Sequence, residues 1–270
     1  MRMSYASKLF LAMLGVLLIT GISGALTSAD DRPLLVLADL SGSSQEKMGY
    51  FNSPEKTTVV RITRAEAIRE ILTEFARTLP ASYCPVGLFE LRYLSGDKSY
   101  CVPVTPVAAY QAGDLQKRVE DDLTTTLPVF NRRTPLADGL RQLDESVLKS
   151  MDGRAVVLLI SDGGENIRSG KNNEDENKSI RVDDPVKEPL TEVLRLKLAY
   201  GDKLVFHAIG LDRGTSSDQK EQDQEALALL QKMAAAGGGK YFSARELLQD
   251  RKTIAELYPL LCGTAGLLTE

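Results

Sequence analysis

Apolar runs alternate with amphipathic segments along the chain from residue 33 onward. Residues 34–38 and 155–160 are uninterrupted apolar runs, which are typical of strands buried on both faces of a sheet. Segment 64–79 instead repeats its apolar residues at helical spacing and is followed by Pro80, so it predicts an amphipathic helix that ends there. The first strand is therefore expected to lead into a helix.

The same alternation continues to the C-terminus. Residues 86–93 and 100–104 predict a hairpin whose turn lies at 95–97. Further helices are predicted at 115–123, 135–151, 190–198, 226–236 and 254–261, and further strands at 155–160, 204–211 and from 241. Strands separated by helices imply right-handed crossovers and a mostly parallel sheet with helices on both faces. We therefore expect a doubly wound α/β fold.

The N-terminus predicts export. A basic start and an apolar stretch at 9–19, followed by small residues, are typical of a signal peptide over residues 1–29. A retained membrane anchor is the alternative, although the second half of the run is polar and rich in glycine. Because no cysteine precedes Cys84, attachment of a lipid at a lipobox cysteine is excluded. We expect a periplasmic or extracellular protein, tethered to the membrane only if this segment is retained.

Composition narrows the class of function. The 270 residues are 43% hydrophobic and 26% charged, which is typical of a globular protein. A net charge of −4 and a pI near 5.3 argue against a nucleic-acid partner. The chain has one histidine and three scattered cysteines, so we do not expect a zinc site built from His and Cys ligands.

Candidate chemistry lies in the loops that follow the most apolar strands, where open parallel sheets bind their ligands. The candidates share short, oxygen-bearing side chains: Asp39, Ser41, Ser43, Thr134 and Asp162. Such an all-oxygen set suits Mg²⁺ or Mn²⁺. Each loop also has a simpler explanation, because Asp, Ser and Thr are common in turns and caps, and Thr134 lies where an N-cap is expected before Pro135. Their order and shared position favour a metal site.

These residues resemble a known family. The Asp-x-Ser-x-Ser motif at 39–43, TPLADGL at 134–140 and VVLLISDGG at 156–164 look like the metal-ion-dependent adhesion site (MIDAS) of the von Willebrand factor A (VWA) domain. The resemblance continues at 204–211 and 229–243 and covers about residues 33–262. It implies a six-stranded, Rossmann-like sheet carrying one divalent cation, with a single domain over 30–264 and a short tail at 265–270.

The resemblance also implies a role for each candidate. The hydroxyls of Ser41, Ser43 and Thr134 would ligate the ion, while Asp39 and Asp162 would act directly or through water. The remaining coordination position would accept a Glu or Asp carboxylate of a partner protein. Thr134 would be the ligand whose coordination changes as the loops close.

The resemblance bears on the cysteines as well. The turn at 95–97 places Cys101 opposite residues near Glu90, far along the hairpin from Cys84. In the family the first and last helices lie side by side, and Cys84 and Cys262 follow those two helices at the same end. The resemblance therefore implies a Cys84–Cys262 disulfide with Cys101 left free.

Two segments and one residue stand outside the motif. The polar stretch at 165–188 follows Asp162 directly, and its composition favours a solvated loop over a rim that selects the partner. A second extra stretch, at 46–63, is a further candidate rim. His207 lies within a predicted strand, where a neutral, hydrogen-bonded interior histidine is expected instead of a catalytic base.

Two classes of function follow from a metal site of this kind. The first is a non-enzymatic binding module that grips an acidic side chain of another protein through the ion. The second is a Mg²⁺-dependent phosphoester hydrolase, which also places carboxylates at strand ends. A hydrolase needs an aspartate nucleophile or a second metal together with a general acid–base, and the three loops contain no such extra group. The sequence therefore favours binding.

Overall fold

The computed structural model describes residues 32–48, 51–52, 59–79, 84–92, 99–110, 113–123, 134–164, 187–212 and 220–262. The predicted signal peptide or anchor at 1–29, most of the 165–188 stretch and the tail at 265–270 lie outside the described residues. Within the described ranges, no helix combines the length and the apolar character needed to cross a membrane.

The described residues form eight strands and eight α-helices. The strands are β1 Leu34–Asp39, β2 Phe51–Asn52, β3 Val59–Val60, β4 Val86–Leu91, β5 Cys101–Ala108, β6 Ala155–Ser161, β7 Leu204–Gly210 and β8 Gly238–Ser243. The helices are α1 Arg64–Thr78, α2 Asp114–Asp122, α3 Leu136–Ser146, α4 Lys187–Tyr200, α5 Lys220–Ala236, α6 Ala244–Gln249, α7 Lys252–Ala255 and α8 Tyr258–Leu261.

Six of the strands form one sheet in the order β5–β4–β1–β6–β7–β8. Every neighbouring pair is parallel except β4 and β5, which form the predicted hairpin. At the centre, Val36 of β1 lies between Leu88 of β4 and Leu158 of β6. The expectation of a doubly wound, mostly parallel six-stranded sheet is confirmed.

Helices cover both faces of the sheet. Successive residues of a strand point to opposite faces, so β1 contributes to the core on each side. On one face, Val36 belongs to a core cluster with Ile68 of α1 and Leu261 of α8. On the other face, Leu37 belongs to a cluster with Leu140 of α3 and Leu230 of α5. All six residues of β1 are buried, which explains its uninterrupted apolar sequence.

The C-terminal region departs from the prediction of one helix over 254–261. The chain there forms α7 and α8, which are separate four-residue helices. Pro259 has no backbone N–H, so a continuous helix would leave the Ala255 carbonyl without its donor. The helix predicted at 135–151 likewise ends at Ser146, and a 3₁₀ turn at Leu148–Met151 follows it.

The first and last helices lie side by side, as the resemblance implied. The rings of Phe75 in α1 and Tyr258 in α8 are 5.0 Å apart, and the Tyr258 hydroxyl donates to the Phe75 carbonyl. Beyond these helices, Cys84 and Cys262 form a disulfide with their Cα atoms 5.5 Å apart. Cys101 has a free, buried thiol, and its backbone lies opposite Leu91 in the register of β4 and β5. The predicted cysteine pairing is confirmed.

Candidate metal site

Two buried carboxylates meet at the carboxyl edge of the sheet. Asp39 is the last residue of β1 and Asp162 comes directly after β6, and these two strands are neighbours at the centre of the sheet. Asp39 and Asp162 are 2% and 3% exposed, respectively. The fold thus gathers negative charge where a ligand of an open α/β sheet is expected.

Three hydroxyls form a chain beside these carboxylates. Thr134 Oγ1 donates to Ser41 Oγ over 2.9 Å, and Ser41 Oγ lies 3.1 Å from Ser43 Oγ. Ser41 also joins this chain to Asp39, because its backbone N–H donates to Asp39 Oδ1 over 3.0 Å. Loops separated by 93 residues in sequence are therefore in direct contact through the predicted side chains.

Thr134 does not cap the helix that follows it, so that expectation was wrong. Helix α3 begins at Leu136, and Pro135 occupies its N-cap position without a side-chain cap. The Thr134 hydroxyl points to Ser41 instead, and the residue is 3% exposed. Its side chain therefore contacts the loop after β1 and not the end of the helix.

Both oxygens of Asp39 accept hydrogen bonds. Ser161 Oγ donates to Asp39 Oδ2 over 2.6 Å, while the Ser41 N–H donates to Oδ1. Burial and, to a lesser degree, the neighbouring Asp162 carboxylate raise the Asp39 pKa to about 6, against the lowering effect of these hydrogen bonds. A positive charge placed between the two carboxylates would relieve this repulsion. Ser161 was not among the predicted site residues: the sequence placed it in the loop after the strand at 155–160, whereas it is the last residue of β6.

The turn after β6 depends on a glycine. Gly163 has φ of +76°, and a Cβ atom there would lie 2.2 Å from the carbonyl oxygen of Ala226 in α5. The Gly164 N–H then donates to Asp162 Oδ1 over 3.1 Å. The two glycines bring α5 close to the loop and orient the Asp162 carboxylate.

Sequence reasoning also missed Arg64, the first residue of α1. Its side chain is 1% exposed and forms an ion pair with Asp162. Arg64 Nη1 also donates to the Ser43 carbonyl over 2.9 Å, and Nη2 to the Glu46 carboxylate over 3.3 Å. A signal was present: Arg64 precedes Ile68 by four residues and so continues the apolar stripe of α1, where a charged residue is unexpected.

The donor set fits a small, hard cation. It consists of hydroxyl and carboxylate oxygens, which Mg²⁺ and Mn²⁺ prefer over softer ligands. Among the described residues, no group of three or more His, Cys, Asp or Glu side chains is arranged to hold a metal. A site at this edge would therefore depend on the three hydroxyls as well as on Asp39 and Asp162.

The 46–63 stretch lies beside this site where it is described. Lys47 and Thr63 form an antiparallel bridge, and the Met48 N–H donates to the Ile62 carbonyl over 2.9 Å. The short strands β2 and β3 pair with each other, and Met48 is fully buried. Glu46, the first residue of this stretch, contacts Arg64. The start of the stretch therefore lies at the candidate site.

Solved structures of low sequence identity share this fold. The pilus adhesin SpaC from Lactobacillus rhamnosus GG, in its open conformation, aligns with a TM-score of 0.55 and 17% identity, over 86% of this chain and 31% of SpaC. Proximal thread matrix protein 1 from the mussel byssus aligns with a TM-score of 0.51 and 14% identity, over 86% and 46% of the two chains. The von Willebrand factor type A structure from Catenulispora acidiphila aligns with a TM-score of 0.50 and 12% identity, over 86% and 42%.

This chain matches less than half the length of each of these three proteins. No family model matches the sequence, and the comparison with curated proteins found no match. The strand order, the crossovers and the structural matches together show that the described part of the chain has the fold of a von Willebrand factor A domain.

Proposed function

We propose that this protein is a divalent-cation-dependent binding module that grips an acidic side chain of a partner protein. Its ion, Mg²⁺ or Mn²⁺, would be held by Asp39, Ser41, Ser43, Thr134 and Asp162. The observation that carries the proposal is the continuous chain of hydroxyls from Thr134 through Ser41 to Ser43 beside two buried carboxylates.

The charge of this donor set supports a protein carboxylate as the further ligand. Two carboxylates balance the charge of one divalent ion, and the neutral hydroxyls add no further negative charge. Because the ion is not surrounded by excess negative charge, it would still attract a Glu or Asp side chain, whose carboxylate is a charged, hard oxygen ligand. The fold shared with the adhesin SpaC supports the same role, within the 31% of SpaC that aligns.

An exported location is part of the proposal. Disulfides persist in oxidising compartments, and Cys84 and Cys262 are bonded. The predicted signal peptide over residues 1–29 supports export independently. A partner would then be sought in the periplasm or outside the cell.

Asp39 is poorly placed for covalent catalysis. Each of its two oxygens accepts a hydrogen bond, from Ser41 and Ser161 respectively, and this lowers the nucleophilicity of the carboxylate. The single histidine, His207, is 3% exposed and accepts a hydrogen bond from the Lys240 N–H. These contacts favour binding over the phosphoester hydrolase. Metal-dependent turnover of a generic phosphoester that Asp39→Ala abolishes would reverse this preference.

The experiment is affinity capture from the native cell envelope on immobilised protein with Mg²⁺. We expect a partner to bind, to be released by EDTA, and to be lost from an Asp162→Asn column. A matched column carries Asp202→Asn, which makes the same change at a fully exposed carboxylate. Replacing acidic residues of the captured partner should then abolish binding. Capture that survives both EDTA and Asp162→Asn would contradict the proposal.

A further inference from the structure

Arg64 joins the two loops that the ion would join. Nη1 contacts both the Ser43 carbonyl of the first loop and the Asp162 carboxylate that follows β6. The side chains of Arg64 and Asp162 are 1% and 2% exposed, so this ion pair is almost completely removed from water. The chain thus carries its own cation next to the candidate metal ligands.

The ion pair occupies the carboxylate that the metal would need. One oxygen of Asp162 accepts from the Gly164 N–H and the other from Arg64. Both oxygens of Asp39 are likewise engaged. A divalent ion that uses Asp162, directly or through water, therefore has to compete with the guanidinium for that carboxylate.

The guanidinium is also incompletely satisfied. Arg64 Nε has no hydrogen-bond partner among the described residues, and Glu46, which receives Nη2, has a side chain that is 58% exposed. At least one donor of this buried arginine is thus unused, and its contact with Glu46 lies partly in solvent.

We propose that Arg64 is a resident cation of the site. In the metal-free protein it neutralises Asp162 and holds the two loops together, and Mg²⁺ or Mn²⁺ must displace it from that carboxylate to bind. The inference rests on the proposed metal site. Arg64, which is not one of the five ligands, would thereby lower the affinity of the site, because it offsets part of the negative charge that an incoming ion meets.

The test compares the Arg64→Met variant with the wild type and with Arg69→Met. Arg69 lies on the same helix but is exposed, so its variant makes the same change in charge and side-chain length at a surface position. Binding of Mg²⁺ and Mn²⁺ is measured by calorimetry, and the melting temperature is measured with and without the ion. We expect Arg64→Met to bind at least about tenfold more tightly than the wild type, and Arg69→Met to match the wild type.

The melting temperatures separate competition from a purely structural role. Without metal, Arg64→Met removes the guanidinium that pairs with the buried Asp162 carboxylate, so the variant should melt lower than the wild type. With saturating metal, most of that loss should be recovered. A purely structural arginine would cost the same stability in both conditions and would leave the affinity unchanged or weaker, and that result would overturn the inference.

Arg64→Lys is the second variant to measure if Arg64→Met does not fold without metal. Arg64→Lys retains the charge but lacks the planar fork that reaches two acceptors. Its affinity for Mg²⁺ should exceed that of the wild type, and an equal or weaker affinity would overturn the inference. If the wild type and every Arg64 variant fail to bind either ion, the proposed metal site fails as well. If the wild type and both Arg64 variants bind equally, only the inference about Arg64 fails.

Discussion

The hydroxyl of Thr134 donates to the hydroxyl of Ser41 over 2.9 Å, although the two residues are 93 positions apart in sequence. This contact brings the loop before α3 to the loop after β1. Asp162 lies at the end of β6, the strand next to β1, so the candidate ligands come from three separate parts of the chain.

Metal binding should stabilise the folded protein. The unfolded chain has no such arrangement of oxygens, so free Mg²⁺ at about one hundred times its Kd should stabilise the protein by about 2.7 kcal/mol. The shift in melting temperature should vanish in Asp39→Asn and Asp162→Asn. It should persist in the exposed control Asp202→Asn. An undiminished shift in the two site variants would place the ion elsewhere.

Thr134→Ala should weaken metal binding more than it weakens the fold. It removes one hydrogen bond to Ser41, at a cost of about 1 kcal/mol in unfolding free energy. Ser243→Ala is the matched control, because Ser243 accepts from the Glu246 N–H as the N-cap of α6 and its loss also costs about 1 kcal/mol. Urea unfolding should show similar losses for both variants, while calorimetry should show lower Mg²⁺ affinity only for Thr134→Ala. Equal affinities would remove Thr134 from the ligand set.

The disulfide should contribute substantially to stability. It joins Cys84 to Cys262 at a sequence separation of 178, so the double Ser variant should lose about 5 kcal/mol of unfolding free energy in the chain-entropy model. Denaturant unfolding with and without reductant measures this loss. A wild type that unfolds at the same denaturant concentration when reduced would contradict the prediction.

Cys101 should resist thiol reagents in the native protein. It is 7% exposed, and burial raises its pKa to about 12, so little thiolate forms near neutral pH. A colorimetric thiol assay should find no reactive cysteine in the oxidised native protein and one after unfolding. Cys101→Ala should remove that single reactive thiol, and any thiol that remained would indicate an open disulfide.

Acid should destabilise the protein partly through His207. Burial lowers its pKa from 6.5 to about 4, and Nδ1 accepts the Lys240 N–H in the neutral form. Above pH 6.5 the imidazole is neutral in both the folded and the unfolded states. Between pH 6.5 and 4 the unfolded chain binds a proton that the native state does not, so unfolding free energy should fall by up to about 3 kcal/mol.

The contribution of His207 is isolated by His207→Gln, which retains an acceptor for the Lys240 N–H. Urea unfolding at a series of pH values should show a smaller loss of stability in this variant than in the wild type over the same interval. Identical slopes would show that carboxylates alone account for the acid sensitivity.

Most of the elements and their order could be predicted from the sequence. Uninterrupted apolar runs indicate strands buried on both faces, and apolar residues at a period of 3.6 indicate the buried side of a helix, so β1, α1 and β6 were predicted with nearly their observed bounds. The strand-end positions of Asp39 and Asp162 followed from that order, because parallel strands end at one edge. The Cys84–Cys262 bond also needed the adjacency of helices that the VWA resemblance implied.

The partners of the polar side chains could not be predicted from the sequence and depend on the tertiary structure. A local pattern predicts that a residue is buried, but its partner comes from wherever the fold brings another segment. The Thr134 hydroxyl therefore contacts Ser41 instead of capping α3, and Arg64 pairs with Asp162 from the first turn of α1. Both contacts join residues more than 90 positions apart, beyond the range over which helical or strand periodicity carries information.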